Sequence, residues 1–180
     1  MAILQTDTNG VAVTDNSGNA LLKTSGSVLK VAQGIFSGSN TTNGISFTDS
    51  NLTLSIAPSS ASNKILILIS TYGIIETFAP TLATESVYFD IRRTISGIPG
   101  PELLATTRTG SSSTGFATLS GNFENSSSPV SISYLDSPNT TSIVTYNLAY
   151  RSKFGGFVGV VNGFEDEQKL STITLLEIVA

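Results

Sequence analysis

Cysteine, histidine and tryptophan are absent from the 180 residues, and Met1 is the only methionine. Without cysteine there is no disulfide framework, zinc–thiolate site, iron–sulfur cluster or thiol nucleophile. Without histidine there is no imidazole base, no Ser–His–Asp triad and no zinc–histidine centre. Charge is scarce as well. Only 12% of the residues are Asp, Glu, Lys or Arg, about half the roughly 25% of an average soluble protein. Nine basic against thirteen acidic residues leave a net charge of −4. The clustered Lys and Arg of a nucleic-acid groove are therefore missing. Carboxylate-only acid–base chemistry is the one catalytic class this composition leaves open. The expectation is a protein without enzymatic activity, cofactor or metal.

Long apolar runs are lacking too. The longest, Ile65–Ile69 with Ser70, Thr71 and Tyr72 behind it, falls far short of the ~20 residues that span a bilayer. Met1-Ala2-Ile3-Leu4-Gln5-Thr6-Asp7 has neither a basic n-region nor an apolar h-region. No secretory signal and no membrane insertion are expected, and the chain reads as soluble when made. Its positive mean hydropathy of +0.20 arises because charges are few. Ser, Thr and Asn supply the polarity instead, in stretches such as Ser111–Thr114 and Asn125–Ser128.

What is present is alternation. Apolar residues recur at period two through most of the chain, the mark of half-buried strands. Leu52, Leu54 and Ile56 alternate with Thr53 and Ser55, and Val87, Phe89 and Ile91 with Tyr88, Asp90 and Arg92. Val130, Ile132 and Tyr134 alternate with serines, and Val144, Tyr146, Leu148 and Tyr150 with Thr145, Asn147 and Ala149. Lys64–Tyr72 is nearly all apolar and reads as a central strand buried on both sides or at a sheet interface. Ile173, Leu175 and Glu177 oppose Thr174, Leu176 and Ile178 in the last strand, which is apolar on both faces. Such a strand suits the middle of a sheet whose outer side packs on a neighbouring subunit. Gly, Pro, Asn and Ser clusters punctuate these runs, for example Gly97–Pro101 and Ser137-Pro138-Asn139. The pattern predicts an all-β sandwich or barrel in one domain spanning residues 27–180.

Residues 1–26 read differently. Asn9-Gly10 favours a type I′ hairpin turn ahead of Val11-Ala12-Val13, and Ser17-Gly18-Asn19 marks a second turn. Too few large apolar side chains occur here to bury a separate core. A short β-meander arm for attachment or assembly is the expectation.

Candidate chemistry is thin. Asp7, Asn9, Asp15, Asn16 and Asn19 could offer oxygen ligands to calcium, but their spacing matches neither the EF-hand loop nor the glycine-rich calcium repeat, and Asx-turns account for them. Glu165-Asp166-Glu167, the sole acidic cluster, reads as a solvated loop; a glycosidic carboxylate pair must straddle a sugar. Asp90 and Glu177 lie in strands, where Arg92 or Arg93 is the expected partner. Asn40, Asn51, Asn125 and Asn139 each begin an Asn-X-Ser/Thr acceptor sequence, which this composition produces by chance. Tyr72, Tyr88, Tyr134, Tyr146 and Tyr150 combine a ring with a hydroxyl, suiting interfaces or sugar stacking, although core packing explains each of them.

The second half carries a resemblance. Ser133-Tyr134-Leu135-Asp136-Ser137-Pro138-Asn139-Thr140-Thr141-Ser142, Thr145-Tyr146, Tyr150-Arg151-Ser152 and Ser171-Thr172-Ile173-Thr174-Leu175-Leu176-Glu177-Ile178 resemble a signature of phage virion proteins, common among phages of aquatic bacteria, cyanobacteria included. Upstream, Gly26–Val31, Phe47–Thr53 and Ile56–Leu66 are similar as well, so the resemblance covers about Gly26 to Ala180. At Arg92–Gly100 the sequence departs from the compact Arg–Gly–Ser-type turn often found there. The resemblance implies a jelly-roll β-sandwich like those of tumour necrosis factor and the complement globular heads, assembled as a homotrimer. It also implies a tail-fibre or spike component on the virion, joined to tail, baseplate or capsid proteins through residues 1–26. Host-surface glycans would then meet the loops around Arg92–Gly100, Arg108–Gly115 and Asn122–Ser128, with no binding residue assigned. A capsid decoration or head-fibre protein at threefold positions is the alternative within this class. A stand-alone carbohydrate-binding module is the alternative outside it.

Overall fold

The structure, a computed structural model, describes residues 3–7, 10–14, 25–76, 85–98, 100, 102–105, 115–121, 126–160 and 170–180. Their strands are β1 (Ile3–Asp7), β2 (Gly10–Thr14), β3 (Val28–Phe36), β4 (Asn40–Thr42), β5 (Thr48–Ile56), β6 (Lys64–Glu76) and β7 (Glu85–Ile95). After these come β8 (Glu102–Leu103), β9 (Ala117–Gly121), β10 (Ser126–Asp136), β11 (Val144–Ser152), β12 (Phe157–Val160) and β13 (Ser171–Ile178).

Strand β6 organises the first sheet. One edge pairs with β10 over its whole length. The other edge is shared, with β13 against Lys64–Ser70 and β12 against Gly73–Glu76. β12 and β13 therefore form one column that the chain leaves after Val160 and rejoins at Ser171. β3 and β4 make the next column in the same way, β3 on β13 and β4 on β12. In the second sheet β11 lies between β5 and β7. β8 and β9 share the far edge of β7, at Arg92–Arg93 and Glu85–Phe89 respectively.

Each sheet is thus four antiparallel columns wide. The chain changes sheet at β4–β5, β5–β6, β6–β7, β9–β10, β10–β11 and β11–β12. Eight columns in two sheets wound in this way are a jelly-roll β-sandwich.

Alternation decides what the sheets enclose. Ile65, Ile67, Ile69 and Ile75 of β6 with Ile173 and Leu175 of β13 face Val87, Phe89 and Ile91 of β7 and Leu148 and Tyr150 of β11. Each such side chain contributes about 1.5–3 kcal/mol by leaving water. Gly73 stands among them because a Cβ there would lie 2.8 Å from Cζ of Phe89. β6 is central by pairing, as expected, but over Lys64–Tyr72 it is buried on one face only, Leu68 being 39% exposed on the other; Ile74, further along that outer face, is buried. In a two-layer sandwich each sheet has one covered side.

The edge strand β5 carries a bulge. Ser50, Asn51 and Leu52 oppose the single residue Leu148. Asn51 adopts the left-handed conformation, φ 65°, which Asn tolerates better than most residues. The Ser50 Oγ accepts the Leu52 N–H at 3.3 Å. Bulges of this kind discourage edge-to-edge pairing.

Among the described residues β1 and β2 pair with each other and with no other strand. Asp7 pairs with Gly10, so Gly10 opens a strand instead of forming the second corner of an Asn-Gly turn. Next to the sandwich, the Gly26 N–H donates to the Val179 carbonyl at 2.8 Å, and the Val179 N–H donates to the Ser27 carbonyl at 2.9 Å. Residues 25–27 thus meet the sandwich beside the end of β13.

Candidate functional site

The outer face of the β6 sheet exposes an aligned set of aliphatic side chains. Cross-strand register sets Val31, Leu176, Leu66 and Leu135 in one row across all four columns. The next row reads Gln33, Thr174, Leu68 and Ser133, and the one beyond it Ile35, Thr172, Ser70 and Ser131. None of these twelve positions is charged. Val31 is 64% exposed, Ile35 63% and Leu135 42%. Leu68, Ser70, Ser131, Ser133, Thr172 and Thr174 line a shallow groove of about 310 Å³ between the rows. Single exposed aliphatics are ordinary on a surface, whereas an aligned, uncharged set makes this face the candidate interaction surface.

The outer face of the other sheet is polar. Ser55 and Thr145 share a hydrogen bond of 2.8 Å between neighbouring strands, and the Thr53 hydroxyl donates to the Tyr146 carbonyl. Arg92 donates to Asp49 at 2.6 Å and to the Phe47 carbonyl at 3.0 Å. The Arg151 guanidinium lies 4.5 Å from the Tyr88 ring centre and 5.3 Å from that of Phe47.

Buried carboxylates fasten the structure internally. Glu85 accepts N–H bonds from Ser86, Lys153 and Phe154 on one oxygen and from Gly156 on the other, at 2.8–3.1 Å. It pins the turn between β11 and β12, and a Cβ on Gly156 would lie 2.6 Å from its carboxylate. Glu177 accepts from the Ser59 N–H and hydroxyl and from the Asn63 amide, with the Lys30 ammonium 3.3 Å away. Burial pushes this carboxyl up, but the bonds from Ser59, Asn63 and Lys30 outweigh burial and hold it at about 2.

Asp136 of β10 receives two bonds from Arg93 of β7 and one from the Tyr146 hydroxyl of β11, tying the two sheets together. Arg93 also pairs with Glu102. Burial, then the nearby charge of Asp136, raises the Tyr146 hydroxyl far above its ordinary range.

These partners correct the expected ones. Asp90 accepts the N–H groups of Ile91 and Ala105, while Glu177 meets Lys30, Ser59 and Asn63. Arg92 and Arg93 go to Asp49, Asp136 and Glu102. The reason is facing: Arg92 and Asp90 stand two apart on one face of β7, and Glu177 lies in the other sheet. Sequence reasoning passed over Glu85 entirely; a lone acid ahead of a strand, with the Gly155-Gly156 pair downstream, was the available signal.

The remaining candidates fall as follows. Tyr146 and Tyr150 are core residues, the latter donating to the Asn40 side chain at 2.9 Å, with burial raising its hydroxyl to about 12. Tyr134 packs against the Phe116 ring, 4.7 Å between centres. Tyr88 is covered by Arg151, which leaves Tyr72 half-exposed on the outer face of the β6 sheet. Asn40 sits in β4 and donates to the Asp49 carbonyl. Asn51 serves the bulge, and Asn139 is a left-handed loop residue, φ 53°. Asp7 falls in β1; Asn9, Asp15, Asn16, Asn19, Asn125 and Glu165-Asp166-Glu167 lie outside the described residues. Among the described residues no group of His, Cys, Asp or Glu could hold a metal ion.

The described flanks of two of the three expected recognition loops lie at opposite ends of the sandwich. Arg92–Ile95 belong to β7, so only the residues after Ile95 form a loop, at the end of the sandwich where Ile95 pairs with Val144. The flanks of residues 122–125, Gly121 and Ser126, pair with Glu85 and Ile75 at the opposite end. Residues 106–114 lie outside the described set, and their flank Phe116 bonds the Phe89 carbonyl midway along β7.

No family model matches the chain, and no curated protein matches it. Among solved structures it is similar to Eiger TNF from S. frugiperda, at 13% identity over 83% of this chain and 93% of that one, with a TM-score of 0.37. It is also similar to a chain of infectious bursal disease virus, Gx strain, at 11% identity and a TM-score of 0.31; all of this chain covers 43% of that one. The jelly-roll assignment rests on this chain's own strand pairing.

Proposed function

We propose that the chain is a non-enzymatic virion structural protein, a tail-fibre or spike head. Three copies pack across the outer face of the β6 sheet, and residues 1–26 attach the head to its neighbours on the particle. Host-surface glycans are the ligand class of the assembled head. The observation that carries this reading is the set of three uncharged, partly aliphatic rows on that face. Three rows across four columns, with strands about 4.8 Å apart and rows about 6.8 Å apart, span about 400 Å², half of one side of a standard subunit interface of about 800 Å², so neighbouring surface must supply the rest. Its occupant must itself carry little charge, and in a ring of three each copy offers this face to a different surface of the next copy, since contact between identical faces closes at two. Threefold closure comes from the resemblance of the sequence motifs to phage virion proteins, whose heads assemble in this way.

Light scattering tests the assembly. Three times the chain mass of 18.8 kDa is expected at micromolar concentration, and a monomer would overturn it. Gold-labelled antibody on intact virions tests the position. Label on the tail supports the fibre reading, label over the head replaces it with capsid decoration, and no label removes the chain from the particle.

A further inference from the structure

The sequence holds three Asn-Gly pairs, Asn9-Gly10, Asn43-Gly44 and Asn162-Gly163, and the structure describes the middle one. Asn43 is exposed between β4 and β5. Asn-Gly is the pair most prone to spontaneous deamidation, since glycine places no side chain in the way of ring closure. In that reaction the Gly44 backbone nitrogen attacks the Asn43 Cγ and forms a five-membered succinimide. The side-chain nitrogen leaves as ammonia, taking up the proton released from the Gly44 nitrogen. Water then opens the ring at either carbonyl and leaves aspartate or isoaspartate. No oxidant or enzyme is required.

Here the attacking nitrogen is engaged. The Gly44 N–H donates to the Thr42 Oγ1 at 3.1 Å. The Gly44 carbonyl accepts the Ser152 N–H at 2.9 Å, so the glycine is held through both of its backbone polar groups. Glycine is itself favoured here, because a Cβ would lie 3.2 Å from the same Thr42 Oγ1, tighter than most such contacts. The loop therefore carries a labile pair for steric reasons together with a clamp on its nucleophile.

We infer that Asn43 is a latent deamidation site and that the Thr42 hydroxyl guards it. The guard acts by holding the Gly44 nitrogen away from the Asn43 side chain, and Ser152 assists by fixing the peptide that follows. This rests on the chain's own chemistry and stands apart from the virion reading.

Peptide mapping by mass spectrometry after incubation at mildly alkaline pH tests it, following conversion of the Asn43 amide to the acid. Folded wild type should convert more slowly at Asn43 than the same chain in urea. Thr42→Val keeps the side-chain shape and removes the acceptor. It should speed conversion in the folded protein about five-fold, the factor equivalent to one hydrogen bond of about 1 kcal/mol. Thr42→Ser retains a hydroxyl and should stay slow. Matched urea midpoints show that the three proteins remain equally folded, and if Thr42→Val is less stable the comparison of Thr42→Ser with wild type and the urea control decides. Equal rates in folded and urea-treated wild type would overturn the inference, as would a Thr42→Val rate no faster than that of wild type.

Discussion

The two outer faces of the sandwich are built from the same alternating strands and have opposite chemistry. On the β6 sheet the three central outward rows hold Val31, Ile35, Leu66, Leu68, Leu135 and Leu176 with hydroxyls and one amide between them, and the nearest charge on that face is Lys64 at the start of the strand. On the β11 sheet they include Thr53, Ser55, Thr145, Asn147, Arg92 and Arg151, with Asp49 paired to Arg92. Folding requires only the inner faces to be apolar, so the second sheet shows what water alone asks of an outer face. The aliphatic rows of the first sheet exceed that requirement. A surface that fails to minimise its own exposure is organised around something other than the isolated fold.

The largest test of this contrast is a pair of matched double substitutions. Leu66→Lys with Leu176→Lys sets two cations side by side on the aliphatic face, and burying them in a seam costs each subunit about 2 kcal/mol or more. Light scattering should fall to the monomer mass of 18.8 kDa while circular dichroism keeps its β signature. Ser55→Lys with Thr145→Lys makes the same cross-strand pair on the polar face and should leave the mass unchanged. Dissociation by the second pair, or persistence of the first, would erase the distinction between the faces.

Glu85→Ala separates folding from assembly in the opposite sense. It strands the N–H groups of Ser86, Lys153, Phe154 and Gly156 beneath the β11–β12 turn, a loss of about 3 kcal/mol. The urea midpoint should drop, while molecules still folded assemble as before.

Acid acts on Glu177. Its folded value near 2 lies below the ordinary 4.5, so its stabilisation is fully present above about pH 4.5 and is lost as pH falls toward 2. Glu177→Gln should flatten stability across that window in an acid titration followed by fluorescence of the tyrosines. The smallest effect belongs to Ser55→Ala, which removes an exposed bond to Thr145. Its expected change in the urea midpoint is within about 0.5 kcal/mol.

The strands were legible in the sequence because alternation is a local signal. Val144–Tyr150 and Ile173–Ile178 turn inward and outward as their spacing requires, and the two-faced apolar character of β13 anticipated its central position. The partners of the charged residues were not legible. Glu177 reaches Ser59 and Asn63 across more than a hundred residues, and Asp136 meets Arg93 only because β10 and β7 face each other across the core. Such contacts depend on which sheet a strand joins, which periodicity does not encode. The loops around Arg92–Gly100, Arg108–Gly115 and Asn122–Ser128 looked alike as polar stretches, yet topology separates their flanks.

The broken columns have a practical consequence. β12 and β13 share one edge of β6, and β8 and β9 share one edge of β7, although a stretch of chain separates the members of each pair in sequence. Register on either side is fixed by β6 or β7, so the length of that stretch is not bound to the strand count. Doubling it costs only about 0.6 kcal/mol of closure entropy. Inserted peptide is therefore expected to cost least within residues 161–169 and, beyond the core residue Leu104 and the bonded Ala105, within residues 106–114.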